Sequence, residues 1–149
     1  MTEQGLYLKA IETWGIEAQR MVFHEEMAEL LELEGCKNPV GFIGELADAV
    51  IMTEQMIEYY GIVPAFNMGS LIGITLSGSY YATSIAMSHY HRGRCDIDEL
   101  GKQLNNLHAV LFLQTTTRCI RSDAFLLMVR NKLHRLADML GETYEESEA

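Results

Sequence analysis

The amino-acid sequence predicts an all-α fold, a bundle of five to six helices in one domain over residues 1–149. Three observations carry this. Apolar residues recur at i, i+3, i+4 and i+7 over long stretches, the spacing of a helix face. No Asn-Gly or Asp-Gly hairpin signal occurs, and no long alternation of period two. The chain has only two prolines, and Gly or Pro clusters punctuate it at helical intervals.

Taken in order, a first helix runs from about Leu6 to Trp14 and breaks at Gly15. A second runs from about Ile16 to Leu33 and stops at Gly35, with Pro39 beyond. A third spans about Phe42 to Tyr60, with Gly61 and Pro64 following. A fourth, from about Met68 to Tyr90, is rich in small residues. Gly69, Gly73, Ser77 and Gly78 are expected to let it approach another backbone closely, since glycine otherwise weakens a helix. Asp96 can cap a fifth helix reaching about Arg121, and Ser122 or Asp123 a sixth from about Ala124 to Leu140. The acidic tail from Gly141 to Ala149 is expected to fray.

Composition narrows the function. With 149 residues and 48% hydrophobic content the chain can bury a real core. Its net charge of -10 repels DNA, RNA and anionic membranes, so polymeric nucleic acid is excluded as a natural partner. A small polyanion would need a metal ion or a local basic cluster. Leu71 to Met87 is nearly uncharged but short and interrupted by Ser, Gly, Thr and Tyr, so it reads as a buried helix and not a membrane span. Cys36, Cys95 and Cys119 form no CxxC pair and read as reduced thiols of a cytoplasmic protein.

Carboxylates sit where apolar residues belong. On the second helix Val22, Phe23, Met27, Leu30, Leu31 and Leu33 form one face; Glu26 falls inside it and Glu29 on its edge, while Glu25 and Glu32 point outward. On the third, Ile43, Leu46, Ala49, Val50, Thr53, Met56 and Ile57 form the buried side, with Glu45 inside it and Asp48 on its border. Each helix carries an acid pair at i, i+3. Taken singly, such a pair is more often a solvated face. Two carboxylates about 4 Å apart repel by roughly 4 kcal/mol at an effective dielectric of about 20. Protonation or a hard divalent cation relieves this, and an all-oxygen donor set favours Mg²⁺ or Mn²⁺ over Zn²⁺.

EEMAE at 25–29 followed by GELAD at 44–48 resembles the EExxE…ExxD pattern of the MazG-like all-α nucleoside triphosphate pyrophosphohydrolases, relatives of the dimeric dUTPases. The likeness extends to Trp14-Gly15 with Glu17-Ala18-Gln19 upstream, to IMTEQM after Asp48, and to a basic last helix, Arg130 to Leu136, as in small phage-type members. It implies Mg²⁺-dependent cleavage of (deoxy)nucleoside triphosphates to monophosphate and pyrophosphate. It implies Glu26, Glu29, Glu45 and Asp48 as metal ligands, with Glu25 on a second metal or orienting water. Lys132 and Arg135 match positions that would reach phosphates, and cations near a helix C-terminus also simply favour the dipole. A homodimer or homotetramer is implied, in the host cytoplasm if the chain is phage-encoded.

Other residues carry alternatives. Trp14 and Tyr59-Tyr60 suit either a base-stacking platform or a core plug. His89 and His91, two apart, do not share a helix face, so they make a poor metal pair. A di-iron bundle needs Glu-x-x-His, which is absent. The rival to an enzyme is a helical dimerisation module with solvated acids. About 60 residues separate the third helix from the basic one, more than in small phage-type members. The run Leu107 to Phe112 echoes Ala47 to Met52, with Asn105 and His108 in the places of Glu45 and Asp48. Two apolar helices that obey one packing pattern give such an echo by chance at least as readily. Residues of about 64–123 are expected to be an inserted or degenerate-repeat helix pair, which as a repeat would bind no ion, and the weakly charged fourth helix to lie in an interface or complete the bundle.

Overall fold

The computed structural model describes residues 1–36, 39–65 and 71–146. Six helices appear among them, and no strand: α1 (Glu3–Trp14), α2 (Ile16–Leu33), α3 (Pro39–Tyr59), α4 (Leu76–His91), α5 (Ile97–Thr117) and α6 (Ser122–Leu140). The all-α bundle is as the sequence predicts. No described helix is long and apolar enough to cross a membrane.

The sequence explains the helix ends. The Thr2 hydroxyl accepts from the Gly5 N–H to open α1, and the Asp96 carboxylate does the same for Glu99 at the start of α5. Gly15 takes φ of 86° between α1 and α2, a conformation nearly closed to other residues, and so turns the chain at Trp14. At the end of α3, Gly61 at φ of 66° lets Ile62 N–H reach the Ile57 carbonyl.

α3 is the axis of the bundle. It packs against α1, α2, α5 and α6, and α4 pairs with α5. That is why α3 is buried almost all round, with Leu46, Ala47, Ala49, Val50, Thr53 and Met56 fully enclosed. Phe23, Met27 and Leu30 of α2 and Leu100, Leu104, Leu107 and Leu111 of α5 belong to one continuous core with α3.

Several sequence expectations need correction. The fifth helix ends at Thr117, not near 121, and α6 already begins at Ser122, behind Arg121, with no side-chain cap. The fourth helix starts at Leu76, not near 68. Gly73 adopts φ of 76°, and the Thr75 hydroxyl caps the helix by accepting from Gly78 N–H. A Cβ at Gly78 would lie 2.8 Å from that hydroxyl oxygen, so this glycine makes room for a cap and not for another helix. Met68 and Gly69 lie outside the described residues. The tail does not fray through 141–146. The Met1 ammonium donates to the Thr143 carbonyl, Glu145 N–H donates to Met1, and Glu146 pairs with Arg130 and His134. Tyr144 packs on the small cluster of Tyr7, Ile51 and Leu133.

Candidate metal and nucleotide site

Glu26 and Glu29 project from α2 towards Glu45 of α3. One carboxylate oxygen from each lies within 4.8 Å of the other two. Glu29 is exposed; the other two are half-buried. Oε2 of Glu26 and Oε2 of Glu45 are shielded from solvent and have no hydrogen-bond partner. Burial, then the nearby Asp48, Glu29 and Glu45 charges, push Glu26 up to about 7. Burial and a hydrogen bond shared with Glu29 raise Glu45 as well. A carboxylate oxygen that is buried and unpaired is costly. Three together at this separation repel by roughly 3–4 kcal/mol per pair at an effective dielectric of about 20. A hard divalent cation would complete this all-oxygen donor set, and the orphaned oxygens fit one.

The other expected residues fall around the trio. Asp48 stands beside it, bridged to Lys132 of α6 at 2.8 and 2.9 Å. Lys132 therefore supplies part of the positive charge that the acids lack. Lys132, Arg135 and Trp14 line one cavity with Glu26 and Asp48, of about 530 Å³. That volume suits a small-molecule ligand. Its wall also includes the apolar Val22, Ile51, Met52 and Leu136, so the cavity offers both charged and apolar surface. Glu25 is exposed and joins neither the trio nor the cavity.

Tyr59 and Tyr60 lie elsewhere. Tyr60 packs edge-on against Tyr90 and its hydroxyl meets His91 Nε2 at 2.5 Å, so His91 has a protein partner at the far end of α4. Asn105 clips the chain after α3, accepting from Ala65 N–H and donating to the Val63 carbonyl. His108 meets Glu54 at 3.1 Å. Both residues are thus engaged by protein.

Two features went unread in the sequence. Gln19 and Gln55 form a buried pair that lines the cavity, with Gln55 Nε2 donating to Gln19 Oε1 at 2.9 Å. A signal existed: Gln19 stands two turns before Glu26 and Gln55 two turns after Asp48, so each shares its acid's helix face. The second feature is a polar chain through the core. The Tyr7 hydroxyl lies 2.8 Å from Glu3 and 2.7 Å from Glu54, which in turn meets His108. Periodicity could not show it, because it joins α1, α3 and α5. Compared with models of known protein families, with curated proteins and with solved structures, the chain finds no match.

Proposed function

We propose that the protein is a metal-dependent, MazG-like pyrophosphohydrolase that cleaves (deoxy)nucleoside triphosphates to monophosphate and pyrophosphate. One observation carries the reading. The acid trio, with its two orphaned oxygens, adjoins a cavity lined by two cations, Lys132 and Arg135, and by apolar side chains. A nucleotide combines the same chemistries, charged phosphates and a flat, largely apolar ring.

In this reading Glu26, Glu29 and Glu45 hold Mg²⁺ or Mn²⁺, and Asp48 joins them when Lys132 turns to a phosphate. When bound, the ion neutralises charge developing on the phosphates and lowers the pKa of a coordinated water. Lys132 and Arg135 bind and orient the phosphate chain, which matters because phosphoryl chemistry depends chiefly on positioning and electrostatics. Glu26 and Glu45 have the unpaired oxygens best placed to orient attacking water. Trp14 borders the slot that receives the base. We further propose a homodimer or homotetramer, since Tyr81 and Leu127 remain 68% and 53% exposed on α4 and α6.

The test is a panel of the eight common ribo- and deoxynucleoside triphosphates with Mg²⁺, with products identified. The expected products are monophosphate and pyrophosphate, abolished by EDTA. Orthophosphate plus a diphosphate would refute the bond assignment. Inactivity on the whole panel would favour the helical dimerisation module instead.

A further inference from the structure

Gln19 and Gln55 are 6% and 1% exposed, yet both line the cavity. Their orientation can be deduced. The Tyr7 carbonyl only accepts, so the Gln55 atom facing it at 3.4 Å is Nε2. The same nitrogen lies 2.9 Å from Gln19, which must therefore turn its oxygen towards it. Gln19 Nε2 is left as a donor, and among the described residues it donates to no protein atom. Its N–H groups are therefore free to donate to a ligand in the cavity. Both glutamines are nearly enclosed, so a ligand that displaces water there and supplies no acceptor would strand that donor at a cost of about 1–3 kcal/mol, and one that supplies an acceptor is favoured.

We infer that Gln19, held in register by Gln55 and the Tyr7 carbonyl, is a specificity-determining donor for a planar heterocycle bearing a ring carbonyl. The inference rests on the nucleotide reading above and deepens it. The ring enters between the apolar walls near Trp14, with its carbonyl towards Gln19 Nε2. Charge at Lys132 and Arg135 then lies at the phosphate end of the same cavity. Gln19 Oε1 is already engaged by Gln55, so Gln19 itself presents a donor. Uracil, thymine, guanine and cytosine each offer a ring carbonyl; adenine does not, and is the disfavoured base.

Trp14 is the only tryptophan of the chain, so fluorescence excited on the red edge, beyond tyrosine absorption, reports on this cavity. The experiment titrates the metal-free protein with uridine, guanosine and adenosine, following Trp14 emission. Uridine and guanosine are expected to bind at least about 10-fold more tightly than adenosine, about 1.4 kcal/mol. Gln19→Leu, which keeps the volume and removes the donor, is expected to bring all three to one level. Equal wild-type affinities, or no change in emission with any nucleoside, would overturn the inference whether or not the variant folds. So would unaltered discrimination in a folded Gln19→Leu protein. The two readings fail separately. Discrimination without triphosphate cleavage removes only the hydrolytic assignment; cleavage without discrimination removes only the role of Gln19.

Discussion

Replacing Glu26 by glutamine tests the acid trio without reference to any substrate. Burial, then the neighbouring carboxylates, push Glu26 up to about 7 in the folded chain, against 4.5 when unperturbed. Below pH of about 4.5 the residue is protonated whether the chain is folded or not, and costs nothing. As pH rises towards 7 the unfolded chain gives up the proton first, so the fold loses stability, and the loss levels off above 7. The displacement corresponds to roughly 3 kcal/mol at about 1.4 kcal/mol per tenfold. Because the carboxylate is only half-buried, solvent screening reduces this to about 1 kcal/mol. The metal-free Glu26→Gln protein should therefore melt about 2–4 °C above wild type at pH 8 and match it near pH 4.5. With Mg²⁺ the order is expected to reverse. At about 100 times the dissociation constant the ion of the proposed site should stabilise wild type by about 2.7 kcal/mol, or about 5–10 °C, and the variant by much less. Differential scanning calorimetry with and without Mg²⁺ at both pH values reads all four arms. A metal-free variant less stable than wild type at pH 8, or an equal Mg²⁺ shift in both proteins, would refute the reasoning.

Other perturbations follow from the same geometry. Glu45→Gln and Asp48→Asn should each lower kcat by about 100-fold or more, as loss of a key electrostatic group does; the exposed Glu32→Gln is the control and should stay near wild type in the same steady-state assay. Lys132→Met leaves Asp48 unpaired beside the trio; the apo melting temperature should fall and the Mg²⁺-induced rise should grow, and an unchanged melt would mean the ion pair contributes nothing. The Tyr7 hydroxyl has one proton for two carboxylates, and Glu3, chiefly through its hydrogen bond to Glu54 and burial, is raised to about 8. Wild type should lose stability between pH of about 4.5 and 8, and Glu3→Gln, whose amide can donate to Tyr7, should flatten that slope; parallel pH–stability curves would refute the shared-proton arrangement. Light scattering at micromolar concentration should give at least a dimer, and a monomer would remove the proposed association.

The local features were legible in the sequence because helices are local objects. Their period marked α2 to the residue, Asp96 announced its cap, and Gly15 and Gly61 their turns. The same period revealed Glu26 and Glu45 as acids on apolar faces, since a charge out of phase with its neighbours needs no partner to be noticed. The start of α4 is not legible in the sequence, because Gly73 reads alike as a packing glycine and as a turn; only the backbone conformation separates the two. The order of the acidic tail is not legible either, because Met1, its main partner, lies at the other end of the chain. Which acids converge was likewise a tertiary matter. Glu26, Glu29 and Glu45 meet because α2 packs on α3, while α6 delivers Lys132 to Asp48 across 84 positions. The buried Gln19–Gln55 pair and the Tyr7–Glu54–His108 chain depend on α3 being the axis of the bundle. A polar residue there can be satisfied from three neighbouring helices, and a one-dimensional pattern records the residue but not the neighbour that completes it.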